Sequence, residues 1–292
     1  MKYLFLILSC FLIFPALAQK DTAISYFDYS WEPCKKKEAA YVRKQVKADS
    51  NRAVWDFYFP SMKLQMHGHF MDKAAEIKTG HFIWYNENGI RISEANYASG
   101  KKHGRYASYY ENQVPSLECH YENGLMDGTY KEWHASGSAR GSGTFRSDRA
   151  EGEWEWLHEN GRLAAKESYK DSVLQEVAFY DDEGNRDDCP CITEKMPQFR
   201  GGEDARVRFL INNIRYPEEA RMKYQEGQVF FRFVVKKDGS ITELEMLRSS
   251  GYMLLDKEAT RVATLMPNWE PAMRHNILLD AHCVMPITFR LE

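Results

Sequence analysis

The chain has 292 residues, 43% apolar and 28% charged, the balance of a globular protein long enough for two modest domains and not of a disordered tail. A formal net charge of −3, from 39 Lys and Arg against 42 Asp and Glu, leaves no basic footprint for a nucleic acid. Seventeen Tyr, 16 Phe and 7 Trp lean the composition towards sheet.

Residues 1–18 read as a secretory signal peptide. Lys2 is a thin positive start, Tyr3 to Pro15 an apolar core, and Ala16-Leu17-Ala18 a small-x-small cleavage pattern before Gln19. The apolar run is shorter than the roughly 20 residues a membrane span needs. Export to the periplasm is the expectation, with inner-membrane anchoring through an uncleaved segment 3–18 as the alternative. Ser9-Cys10 is a poor lipidation site, because the apolar run continues past the cysteine. Residues 19–52 form an N-terminal extension. Cleavage leaves Cys34, Cys119, Cys189, Cys191 and Cys283, an odd set in a compartment that permits disulfides. The expected bridge joins Cys34 to Cys189 or Cys191, and Cys119 reads as a buried strand thiol. Cys189-Pro190-Cys191 lacks the two-residue spacing of redox motifs, and no zinc-type histidine pair accompanies it.

A repeat fills residues 53–186. Gly80, Gly104, Gly128 and Gly152 recur every 24 residues. Two residues after each stands an aromatic (Phe82, Tyr106, Tyr130, Trp154), and 17 after each another (Tyr97, Tyr121, Phe145, Tyr169). Turn residues keep phase as well: Asn88-Gly89, Asn112-Gln113, Ser136-Gly137 and Asn160-Gly161. A fixed period of this size marks a repeat architecture. Each unit reads as strand, tight turn, strand, tight turn, with Asn-Gly expected in a type I′ turn. Gly100 and Gly124 lead back to the next unit. The expectation is an all-β antiparallel hairpin meander with aromatic rows. Further aromatics at Tyr85, Tyr109 and Trp133 have opposite parity, so either a bulge intervenes or both faces carry rings. The pattern from Gly80 to Gly89 resembles the MORN-like repeats of proteins labelled antitoxin-associated, a likeness covering about residues 54–185.

Polar residues 187–196 form a linker, and beyond it the period changes. Gly201-Gly202 with Glu203 and Asp204 starts a helix, acids facing the dipole. Pro217 suits the first position of a second helix. Val229, Phe231, Phe233 and Val235 share one face of a strand from Gly227, and Lys237 to Ser240 is a hairpin turn. Leu254, Leu255, Ala259, Val262, Ala263 and Met266 make an amphipathic helix that Pro267 stops, before a last strand from Ala281. Residues 197–292 are therefore expected to be α+β, with helices on one face of a small antiparallel sheet.

Tyr216-Pro217 with Ala220, Gly227-x-Val229, Asp238-Gly239, Ser250-Gly251, Leu255-Asp256 and Trp269-x-Pro271 stand in the order of the TonB C-terminal domain family, which this region resembles. The resemblance implies a non-catalytic envelope module that binds a peptide of an outer-membrane transporter or other envelope protein by strand addition, in transmembrane transport. Carried over, it places partner contacts at Ile214, Arg215, Tyr216, Pro217, Val284, Ile287 and Phe289. The chain departs from the family's energy transducers in its cleavable-looking signal and its ten scattered prolines, with the repeat array where a Pro-rich linker would stand. Peptide binding survives those departures better than energy transduction. The alternatives are a periplasmic scaffold or glycan-, peptidoglycan- or lipid-binding repeat protein and, with the N-terminal segment uncleaved, a membrane-anchored energy transducer. Membrane association and a homodimer are left open.

Acid and base pairs exist at Glu132 with His134 and His158 with Glu159, and His67 and His69 share a strand face suited to a metal. With no third ligand, nucleophile motif or phosphate loop, no catalysis, metal or cofactor is expected.

Overall fold

The structure is a computed structural model that describes residues 22–48, 50–187 and 194–291. Residues 1–18, Cys189 and Cys191 lie outside the described residues, so the signal segment and the expected bridge to Cys34 do too. Among the described residues no helix is long and apolar enough to cross a membrane.

The first part is an antiparallel meander with strands in chain order. Its strands are β1 (Thr22–Phe27), β2 (Tyr41–Ala48), β3 (Asn51–Tyr58), β4 (Leu64–Phe70), β5 (Lys78–Tyr85), β6 (Arg91–Ala98) and β7 (Lys101–Tyr109). They continue as β8 (Pro115–Glu122), β9 (Leu125–Trp133), β10 (Ala139–Arg146), β11 (Arg149–Leu157), β12 (Leu163–Lys170), β13 (Val173–Tyr180) and β14 (Arg186–Asp187). The chain gathers into two compact units, residues 1–138 with 143–151, and residues 139–142 with 152–292.

In the first unit the two aromatic phases of each repeat prove to be one edge-to-face pair. Phe82 and Tyr97 lie 5.1 Å apart, Tyr106 and Tyr121 6.0 Å, Tyr130 and Phe145 5.4 Å. Such pairs add about 0.5–1.5 kcal/mol beyond the area they bury. Register shifts fall between Trp84 and Tyr85 and between Ser108 and Tyr109, so a bulge accounts for the change of aromatic parity.

The turn chemistry differs from expectation. At Asn88-Gly89 only Gly89 has positive φ, at 82°, and its N–H donates to the Asn86 carbonyl at 2.9 Å. Asn86 Oδ1 accepts the N–H groups of Asn88 and Ile90, both at 3.0 Å, closing a wider loop around Asn86. The type I′ signature, positive φ at both central residues, stands instead between repeats, at Ser99-Gly100 (48° and 81°) and Asn123-Gly124 (51° and 93°). The expected extension 19–52 contains β1 and β2, paired from Thr22↔Val46 to Phe27↔Tyr41.

The second unit carries β11–β14 and the C-terminal elements. These are β15 (Glu194–Lys195), β16 (Gln198–Phe199), α1 (Gly202–Asn213), α2 (Glu218–Met222), β17 (Gly227–Val235) and β18 (Ile241–Arg248). They end with α3 (Met253–Thr264), β19 (Trp269–Glu270), β20 (Ala272–Arg274), β21 (Ile277–Leu279) and β22 (Ala281–Phe289). The main sheet has the order β18-β17-β22. Its apolar face, Val229, Phe231, Phe233 and Val235 of β17 with Met285, Ile287 and Phe289 of β22, packs with Leu255, Ala259, Val262 and Ala263 of α3. Full burial of each such large side chain contributes about 1.5–3 kcal/mol. Pro217 caps α2 from just outside it, one position earlier than expected.

The short motifs of this region hold one another. Gly239, at φ 83°, sits so close to the Trp269 backbone that a Cβ would come 2.3 Å from its carbonyl oxygen. The Trp269 N–H donates to the Gly239 carbonyl at 2.9 Å, which fastens the β17–β18 turn to β19. Asp256 on α3 accepts the Ser250 N–H at 2.8 Å, the Ser250 hydroxyl at 2.7 Å and the Ser249 hydroxyl at 2.5 Å, which fixes the Ser249-Ser250-Gly251 bend. These residues are scaffold.

Candidate functional site

Among the described residues strand β22 pairs with β17 and with no strand on its other side, which is an open edge. The ladder runs from Gly227↔Phe289 to Val235↔Ala281 without a register shift. Side-chain alternation sends Met285, Ile287 and Phe289 into the core and leaves Val284 outside, 58% exposed. Ile287 and Phe289, expected as partner contacts, are thus core residues, because α3 packs on that face of the strand.

Pro286, opposite Phe230, fixes the backbone phase. A proline tolerated in a strand turns its missing N–H away from the neighbouring strand. Antiparallel hydrogen bonding alternates along the chain, so Val284 and Thr288 share that phase and turn their N–H and C=O groups to the open side. The edge offers donors at Val284 and Thr288 with a gap at Pro286 between them.

Beside this edge lies a groove of about 440 Å³, lined by Val207, Leu210 and Ile211 of α1, by Ile214 and Tyr216, and by Pro286 and Thr288. Helix α1 buries no residue fully, and Ile211 is 72% exposed. Arg206, also lining the groove, donates from Nε to Glu203 Oε2 at 2.8 Å.

The expected contacts around Tyr216-Pro217 divide. Ile214 ends α1, its N–H donating to the Leu210 carbonyl at 2.8 Å, and Tyr216 shares the groove wall with it. The Tyr216 ring stands edge-on to Phe289 at 5.7 Å, and its hydroxyl donates to the Gln225 carbonyl. Burial, with the charge of Glu226, pushes that hydroxyl above its ordinary pKa. Arg215 has an exposed side chain, and its N–H donates to Glu258 Oε1 at 2.6 Å. Pro217 is half-buried at the start of α2. The groove-facing residues of α1 escape sequence reasoning because their helical spacing reads as a core face.

A second cluster lies within the same unit, where the β20–β21 turn meets the fourth repeat. At the repeat position of Ala95, Cys119 and Gly143 the fourth repeat carries Glu167, whose side chain is fully buried. Glu167 accepts from Trp156 Nε1 at 3.1 Å, from the Tyr169 hydroxyl at 2.9 Å and from His275 Nδ1 at 2.7 Å. An ionised carboxylate only accepts, so Nδ1 of His275 carries the proton. The imidazole lies flat on the Trp156 indole, 3.7 Å away at 6°. Asn276 Nδ2 donates to the Tyr180 carbonyl at 2.8 Å. His275 and Asn276, at φ 52° and 60°, form a type I′ turn without glycine, a strained choice that puts both side chains in the contact.

The remaining sequence candidates are scattered. His67 is half-buried and His69 exposed, and burial, with His81 and His69 nearby, pushes the His67 pKa down. Among the described residues no three or more His, Cys, Asp or Glu side chains gather as a metal site. Cys119 is buried in β8, its thiol pushed up to about 11 by that burial, and Cys34 has no disulfide partner among the described residues.

Residues 212–291 match the family described as Gram-negative bacterial TonB protein C-terminal. The match takes in α2, β17, β18, α3 and β22, while nearly all of α1, one wall of the groove, lies ahead of it. Residues 78–99 and 150–171 match the MORN repeat variant. Among solved structures, the NMR solution structure of Helicobacter pylori TonB-CTD is 24% identical, over 30% of this chain and 77% of that one, with a TM-score of 0.24. No curated protein gives a significant match. The C-terminal part of this chain is TonB-like, and its fold rests on the strand order given above.

Proposed function

We propose that the chain is a non-catalytic envelope protein that captures an extended peptide of an outer-membrane transporter or similar partner by adding it as a strand to β22. The open β22 edge, bordered by the apolar groove of α1, carries this reading. Backbone pairing supplies affinity and the groove reads alternate side chains. The TonB-like domain of 197–292 is the capturing part, the repeats of 53–186 its carrier, and 187–196 the link between them. Export with cleavage before Gln19 places both in the periplasm, in support of transport across the outer membrane.

The test is Val284→Pro in the full chain. It removes a donor from the open edge while leaving the β17 ladder intact, since the Val284 backbone faces outward. Binding of synthetic peptides from the periplasmic N-termini of outer-membrane transporters, followed by titration calorimetry, is expected to fall at least tenfold with unchanged circular dichroism. Equal binding by a folded variant would refute strand addition at this edge. The mass of the mature chain from cell fractions checks the cleavage: an intact Met1 start in the inner membrane would replace it with anchoring.

A further inference from the structure

The first unit contains a cavity of about 300 Å³ that the captured peptide does not involve, lined by Trp31, Arg43, Asp56, Gln65, Lys78 and Trp84 among others. Its floor is an ion pair. Arg43 donates from Nε and Nη2 to the two oxygens of Asp56, both at 2.8 Å, and the Asp56 side chain is 2% exposed. The guanidinium also lies over Phe27, Trp31 and Phe70, at 5.4, 5.5 and 5.7 Å from the ring centroids.

Lys78 is the cation without a carboxylate. Its Nζ stands 5.4, 5.2 and 5.0 Å from the centroids of Phe82, Trp84 and Tyr97, with no ion-pair partner within 4 Å among the described residues. Burial, Arg43 and Lys102 all push its pKa down, while Asp56 pulls the other way. Two cations of the lining, Arg43 and Lys78, thus share one buried acid, Asp56, already held by Arg43; Glu76, the other acid of the lining, is exposed.

The ring pairs of the repeat do not require a lysine at this phase. Lys78, Lys102, Met126 and Ala150 occupy the same phase, two residues before each repeat glycine. The third and fourth repeats keep the ring pairs Tyr130–Phe145 and Trp154–Tyr169 with Met126 and Ala150 in that place. The indole is likewise optional: Trp84, Ser108, Glu132 and Trp156 share one phase. Where a tryptophan recurs there, at Trp156, a planar ring stacks on it at 3.7 Å. Trp31, the other indole of the lining, is held at φ 62° by a turn in which Asp28 Oδ1 accepts the N–H groups of Ser30 and Glu32. A bulky residue in that conformation is strained, and strain of this kind gathers at functional sites.

We propose that this cavity binds an acidic sugar, a pyranose ring that carries a carboxylate. The volume suits one such ring, at the small end of ligand pockets. The indole of Trp84 takes the C–H face of the ring, and Lys78 with the remaining N–H groups of Arg43 takes the carboxylate. The Gln65 amide and the Glu76 carboxylate serve the hydroxyls. A bare inorganic anion leaves the indoles unused, and an aromatic acid leaves Gln65 and Glu76 without partners.

The experiment is a titration of the 15N-labelled full chain with D-glucuronate, following the indole N–H signals, with D-glucose and acetate as separate controls. Glucuronate is expected to saturate with a Kd on the order of 1 mM, at least tenfold tighter than either control. Lys78→Met, a residue the third repeat accepts at the same phase, is expected to weaken binding at least tenfold without loss of fold. Gln65→Ala, a milder change in the lining, is expected to weaken it severalfold. The proposal is overturned if glucuronate does not saturate, if acetate or glucose binds as tightly, or if the folded variants bind like the parent chain.

Discussion

Replacing His275 by alanine removes one of three hydrogen-bond donors to a carboxylate that is fully buried. The charge-assisted bond at 2.7 Å contributes about 1.5–3 kcal/mol and the stacked ring about 0.5–1.5 kcal/mol. The loss therefore comes to about 2–4.5 kcal/mol. Glu167→Ala restores the residue that Ala95 supplies at this phase, but leaves Trp156 Nε1, the Tyr169 hydroxyl and His275 without their acceptor. The double variant leaves neither partner behind. Urea unfolding of the four proteins, read by tryptophan fluorescence, should give a coupling energy of about 2 kcal/mol. Single effects that add to within about 0.5 kcal/mol would show that the two residues do not act together. The pair also has a pH signature. Burial pushes Glu167 up, but the hydrogen bond and charge of His275, with Tyr169 and Trp156, outweigh it and hold the carboxyl below its ordinary 4.5. Stability from a depressed acid is complete above that ordinary value and is lost as pH falls through the depressed one. The gap between the parent chain and Glu167→Ala should accordingly narrow as the solution is taken below about pH 4.

Gly141→Ala places a Cβ 2.1 Å from Cε3 of Trp156, the ring that carries His275. An overpacking cost of about 1–3 kcal/mol is expected in thermal unfolding, and an unchanged melting temperature would mean that the ring moves freely. Burial pushes Asp256 up, but bonds from Ser249 and Ser250 hold its carboxyl below the ordinary value. Asp256→Asn should lower stability by about 1 kcal/mol at neutral pH, and by less in acid, where the parent carboxyl is itself protonated. A penalty that grows on acidification would contradict this.

What the sequence shows plainly is whatever repeats or whatever strains the backbone. The 24-residue glycines and the paired phases of Phe82 and Tyr97 are visible because each repeat rebuilds the same ring contact. Strand alternation predicts that Val284 and Ile287 lie on opposite faces, but which face turns inward depends on α3, so Ile287 and Phe289 read equally well as contacts. Asn88-Gly89 misleads because a type I′ turn and a wider loop both want glycine at positive φ; only the φ of Asn88 separates them. In β2, Arg43 and Lys44 hide the strand, since Arg43 turns inward only to meet Asp56 on β3. The Glu167–His275 contact spans 108 residues and has no local mark beyond a charged residue in a phase otherwise filled by Ala95, Cys119 and Gly143.

The local pairing of the meander has a consequence in time. Each of its strands pairs with its sequence neighbours, whereas β17 must wait for β22, so that Gly227 meets Phe289. Contacts between near neighbours form early, and long loops close late. On a chain made from its N-terminus, the pocket around Glu167 exists before the turn at His275 that fills it. Until the last strand arrives, Val229, Phe231 and Phe233 have no Met285, Ile287 or Phe289 beside them. A chain stalled or clipped before residue 281 should keep its repeats folded while exposing that face, and so be recognised as unfinished by whatever disposes of incomplete chains.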